Sequence, residues 1–195
     1  TQPVMAGSYP WPPMWASVDD ILSSESNDDY LTGFYEGAAT WDYHVAGAWP
    51  GFNDFYGQGG PGFTYGYLDA QDGATLQSTL QSALNSNPDV IQLVTWNDYG
   101  EGTNIEPTVE YGFGYLEMIQ QVRRASIDPS FAYGTSELAI PLRLFDLRKT
   151  YSSSAAKNES LDLAFEHILA GEFEQAVAIM DAVDTETSVE DHGSE

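Results

Sequence analysis

Cysteine is absent from this 195-residue chain. Disulfide cross-links, thiolate nucleophiles and Cys-ligated zinc are therefore excluded. Positive charge is scarce as well: six Lys and Arg stand against 30 Asp and Glu, a formal net charge of −24. A surface this acidic repels phosphate backbones and anionic lipid, which argues against nucleic-acid and membrane partners. No apolar run approaches the roughly 20 residues needed to span a bilayer. Neither an initiating Met nor a signal peptide is visible, and the opening at Thr1 reads as a piece cut from something longer. Against these absences, 42% hydrophobic residues are enough for a real core.

The charge is unevenly spread. All six basic residues (Arg123, Arg124, Arg143, Arg148, Lys149 and Lys157) fall between 123 and 157, whereas the first 122 residues carry sixteen acids and, apart from His44, no cationic group. Carboxylates there must be solvated, hydrogen-bonded, protonated or bound to something. An excess of solvated surface acids is also what a salt-rich habitat favours. Aromatic residues are concentrated early and sit among Gly and Pro, as in Tyr9-Pro10-Trp11-Pro12-Pro13 and Trp49-Pro50-Gly51-Phe52. Such rings belong to loops, where they either pack the loops together or form a cleft that stacks on sugar faces.

Periodicity gives alternating elements. Val4 to Ser8, Leu31 to Tyr35 and Val45 to Trp49 read as short strands. Leu76, Leu80 and Leu84 predict an amphipathic helix over 74–85, ended by Asn87-Pro88. Val90 to Trp96 is the strongest strand, β-branched and mostly apolar. A helix follows over 111–124, its Arg pair placed to suit the macrodipole. This βα alternation predicts an α/β fold with a parallel sheet. At roughly 31 residues per unit of a (β/α)8 TIM barrel, residues 1–125 fit its C-terminal half. Residues 126–182 read as a linker, an apolar strand or turn segment broken by Pro141, and a helical hairpin turning at Gly171. Residues 183–195 read as an acidic disordered tail.

The chemistry-bearing stretch is Thr95-Trp96-Asn97-Asp98-Tyr99-Gly100-Glu101-Gly102-Thr103-Asn104-Ile105-Glu106-Pro107-Thr108, which starts where the strongest strand ends. Parallel βα architectures carry their functional groups at that strand end. Asp98 and Glu101, three residues apart on a Gly-rich loop, can face one cleft. Glycosidic bond cleavage uses such a pair, one carboxyl protonating the leaving oxygen and the other acting as base or nucleophile. Mutual repulsion and aromatic shielding push the two pKa values apart. On spacing alone, a purely structural polar loop explains the pattern as well.

The same string resembles the last-strand motif of two related glycoside hydrolase families. Trp96 to Glu101 is similar to the Thr-Trp-Asn-Asp-Tyr-Gly-Glu run of family 71, the fungal α-1,3-glucanases. Gly102 to Glu106 is similar to the Gly-Thr-Gln-Ile-Glu end of the family 99 motif, from endo-α-mannosidases and endo-α-mannanases. The resemblance implies a TIM-barrel glycosidase acting on an α-linked glucan or mannan, with Glu101 as general acid and Asp98 as base. Family 99 has Glu where this chain has Asp98. Resemblance to family 99 implies a base that deprotonates the substrate's 2-hydroxyl with retention; resemblance to family 71 implies a water-activating, inverting base, which suits the shorter Asp98 better. The sequence alone does not choose between them. No cofactor or metal is required.

Other candidates for substrate contacts are Trp11, Trp49, Asp54, Trp96, Asn97, Tyr99 and Glu106. Bland alternatives stand beside them: packing of the loops for the early aromatic residues, core packing for Trp96, an Asx turn for Asn97, a turn cap for Glu106. The three histidines lack zinc-ligand spacing. The expected partner is a carbohydrate, the expected full-length state a monomer, and the expected location secreted or periplasmic, from the substrate class. A non-catalytic sugar-binding barrel is the competing reading.

Overall fold

The computed structural model describes residues 7–185. It divides into two compact units, 1–129 and 130–195, each considered by itself below.

In the first unit, β1 (Val45–Ala48) pairs in parallel with β4 (Val90–Leu93), Val45 opposite Val90 and Ala48 opposite Leu93. A two-residue antiparallel ribbon joins β2 (Phe52–Asn53) to β3 (Tyr67–Leu68). α1 (Ser24–Ala38) precedes β1, α2 (Tyr56–Gly59) is a single turn after β2, α3 (Ala74–Asn85) crosses from β3 to β4, and α4 (Gly114–Ser126) ends the unit. The described residues are thus mixed α/β with one parallel strand pair, formed by the two expected strands that start at Val45 and Val90.

The Leu31 to Tyr35 strand is a correction. Those residues lie inside α1, whose Ser23 hydroxyl caps the Ser26 N–H and whose Asn27, Leu31 and Ala38 turn inward with helical spacing. The capped start and the four-residue inward period outweigh the β-propensity of the Phe34-Tyr35 pair. The Val4 to Ser8 strand falls mostly outside the described residues, and Gly7 and Ser8 are irregular. Helix 74–85 forms as expected, and the strongest strand is shorter, ending at Leu93.

Two apolar clusters hold this unit. Met14, Leu22, Leu31, Trp49, Phe52, Leu68 and Val94 pack together under the early loops. Ala48, Leu76, Leu80, Ile105 and Tyr115 join β1 to α3 and α4. β1 is built from small residues because other chain crowds it: a Cβ on Gly47 would come within 2.9 Å of Pro10 Cγ. The 10–13 segment therefore lies against β1.

The second unit is helical: α5 (Thr135–Thr150), α6 (Ala155–Leu169) and α7 (Phe173–Thr185). The hairpin of α6 and α7 turns at Gly171, which has a φ of 74°, as the sequence suggested. The apolar strand or turn expected before it is a helix instead. Ile140, Leu144 and Leu147 are buried at i, i+4 and i+7, and Glu137 caps the Gly134 N–H. Pro141 is carried inside α5, so the burial stripe overrides its usual cost. The expected acidic tail lies outside the described residues from 186 onward; Val183 to Thr185, counted with it, are the last turn of α7.

Candidate active site

The loop after β4 is tied at its neck. Thr95 N–H donates to Thr103 O at 2.8 Å, Glu106 N–H donates to Trp96 O at 3.0 Å, and the Thr95 and Thr103 hydroxyls meet at 2.9 Å. Thr103 is fully buried. Between these ties the chain makes a tight turn: Asp98 N–H donates to Thr95 Oγ1 at 3.0 Å, and Glu101 N–H donates to Asp98 Oδ1 at 3.0 Å. That Asx-type bond fixes the two carboxyl-bearing residues at the ends of one turn.

The turn is docked on the segment after β2. Asn53 N–H donates to Glu101 O and Phe55 N–H to Gly100 O, both at 2.9 Å. Gly102 is needed for this approach: its φ is 64°, and a Cβ there would lie 2.7 Å from Asn53 O.

Glu101 is half-buried and receives a hydrogen bond from the Trp11 indole, Nε1 to Oε2 at 3.2 Å. Its carboxyl is pushed above the ordinary Glu range, chiefly by burial and then by the Asp98 and Asp54 charges, with Trp11 and the Tyr56 hydroxyl pulling the other way. Asp98 uses Oδ1 on the Glu101 N–H, and none of the described residues donates to its Oδ2.

The remaining candidates divide. Asp54 is near Glu101 but occupied: Oδ1 accepts from Tyr56 N–H at 3.1 Å, and Oδ2 from the Thr64 hydroxyl at 2.9 Å, Gly66 N–H at 3.2 Å and Tyr65 N–H. It organises the 54–66 loop. Trp49 is a correction: fully buried, it donates from its indole to Asn27 Oδ1 at 3.1 Å and belongs to the core. Trp96, whose alternative was core packing, is half exposed. Asn97 is exposed beside it. The Tyr99 hydroxyl donates to Glu106 Oε1 at 2.6 Å, so these two form a pair on the rim of the loop. The Tyr99 hydroxyl is consequently less acidic than usual.

Sequence reading missed Tyr56. Its hydroxyl is made less acidic, first by desolvation and then by the charges of Glu101, Asp98 and Asp54. Its ring packs with Phe63 and Tyr65, centroids 5.3 to 5.7 Å apart, and the last two are about half exposed. The signal was present: Asp54 follows a strand end, and the aromatic residues come right after it. Among the described residues no three His, Asp or Glu side chains converge as a metal site requires. No helix among them is long and apolar enough to cross a membrane.

Comparison with known proteins finds a likeness to solved structures. Two solved structures of a family 99 endo-α-mannosidase from Bacteroides thetaiotaomicron, one of them with bis-tris propane, superpose with a TM-score of 0.45 and 18% identity. The matched region covers 62% of this chain and 41% and 39% of theirs, so the chain spans well under half of those proteins. No family model and no curated protein sequence matches it.

Proposed function

We propose that the loop after β4 is the acid–base centre of a glycoside hydrolase acting on an α-linked glucan or mannan. Glu101 is the general acid and Asp98 the base. One observation carries the reading: the two carboxyl groups at the ends of the Asp98–Glu101 turn have different surroundings. Glu101 is half-buried and its pKa is raised, the direction that suits a proton donor. Asp98 keeps an oxygen that takes no hydrogen bond from the described residues, which suits an acceptor for a water or hydroxyl proton.

In this mechanism Glu101 donates its proton to the bridging oxygen as the glycosidic bond breaks. Asp98 removes a proton from the attacking oxygen, and the transition state resembles an oxocarbenium ion. The exposed rings of Phe63 and Tyr65, packed on Tyr56, and those of Trp96 and Tyr99 on the loop itself offer apolar faces for sugar C–H stacking. The motif resemblance to families 71 and 99 supports the same assignment.

The test is Glu101→Gln in the full-length protein, assayed by reducing-end release from α-glucan and α-mannan. Turnover is expected to fall by about 10²–10⁴-fold with the fold intact. Full activity in a folded variant removes Glu101 from the mechanism. Binding of an oligosaccharide without any cleavage by the wild type would instead favour the sugar-binding alternative.

A further inference from the structure

We propose that Trp11 is a positioning residue for Glu101, its indole N–H fixing which carboxyl oxygen carries the acid proton. The inference rests on Glu101 being the acid. An indole nitrogen has a hydrogen and no lone pair to offer, so it can only donate. It lies 3.2 Å from Oε2. In a protonated carboxyl the carbonyl-type oxygen is the better acceptor, so Oε2 stays the carbonyl oxygen and the O–H is placed on Oε1. A general acid must present its proton to one bridging oxygen, and a carboxyl free to exchange its two oxygens presents it half the time in the wrong direction.

Trp11 is built to hold still. It is flanked by Pro10, Pro12 and Pro13, all buried, whose rings restrict the backbone on both sides. Pro10 seats against Gly47 of β1, and the Trp11 ring packs on the Met14, Leu31 and Trp49 cluster. Tyr9 meets it edge-on at 6.4 Å. The indole is thus carried by the core, while Glu101 comes from a loop ninety residues later. The groups facing Glu101 are the Asp98 and Asp54 carboxyls, the Tyr56 hydroxyl and this indole. Trp11 is the leading one that favours the charged form.

The experiment follows the carboxyl directly, in the intact protein labelled with ¹⁵N and with ¹³C-carboxyl Glu. In the wild type the Trp11 indole cross-peak is expected to move with pH at the same midpoint as the Glu101 carboxyl carbon. In Glu101→Gln that movement disappears. Trp11→Phe keeps a packed ring without the N–H, and the Glu101 midpoint is expected to rise by on the order of half a pH unit or more. The alkaline limb of kcat/KM should rise with it. An indole peak that ignores Glu101 in the wild type overturns the proposal without any substitution. So does an unmoved carboxyl midpoint in folded Trp11→Phe, which leaves the acid reading intact. A shifted midpoint with an unshifted kinetic limb overturns the acid reading itself, and with it the positioning role.

Discussion

Asp54 and Glu101 are neighbouring acids with opposite energetic roles. The Asp54 carboxylate accepts from three backbone N–H groups and one hydroxyl of its own loop, so Asp54→Ala leaves those donors unsatisfied. A loss of about 1–3 kcal/mol is expected in urea unfolding, together with reduced activity if the proposed acid pair is the catalytic one, because Asn53 and Phe55 dock the Asp98–Glu101 turn. Glu101 is the reverse case. Its folded-state pKa is raised, so the folded protein binds that proton more tightly than the unfolded chain does. The linked stability is full below the unfolded pKa and is lost as pH rises through the folded value. Glu101→Gln, permanently neutral, should therefore melt higher than the wild type at pH 7, with the gap narrowing near pH 4. Equal melting temperatures at both pH values would show that the carboxyl is not perturbed. That Asp98 and Glu101 share one tight turn was legible from their spacing; the occupied state of Asp54 was not, because most of its partners, Thr64 to Gly66, come from a loop with no periodic signal.

At the scale of elements, patterns with many inward positions were readable and short ones were not. Helix 74–85 and the hairpin of α6 and α7 announce themselves by repeated apolar spacing over three turns. Leu31 to Tyr35 is only five residues long, and its helical neighbours, Ser23 and Asn27, lie outside that window. Trp49 misled for a related reason. Its place before Pro50-Gly51 suggested a loop ring, but Asn27 of α1 gives its indole a buried partner that sequence distance hides. The turn of the loop after β4 offers the sharpest test at this scale. Gly102→Ala puts a methyl within 2.7 Å of Asn53 O at a φ of 64°, so the loop must lift from β2. Activity should fall by at least tenfold, and the backbone amides of Asn53 and Phe55, which donate to Glu101 O and Gly100 O, should exchange faster with deuterium. Wild-type protection in that variant would mean the close approach is not required.

The sequence suggested half of a (β/α)8 barrel from βα alternation, whereas the described residues hold one parallel pair and a short antiparallel ribbon. Alternation reports local order; closing a sheet depends on strands paired over long sequence separations, which periodicity does not encode. Charge, in contrast, is a property of the whole molecule that the sequence states outright. With −24 overall and no Lys or Arg before Arg123, Asp98 and Glu101 sit in a strongly negative field. Such a field disfavours substrates carrying carboxylates or sulfates and leaves neutral sugars untouched. Binding of an anionic oligosaccharide should therefore be weaker than that of a neutral one of equal length at about 0.01 M salt, where the Debye length is about 30 Å. The gap should close as salt rises toward about 1 M, where screening reaches about 3 Å, while affinity for the neutral sugar stays level. Isothermal titration at several ionic strengths measures both slopes. A neutral sugar whose binding weakens with salt as strongly as an ionic one would show that the long-range field does not select the substrate.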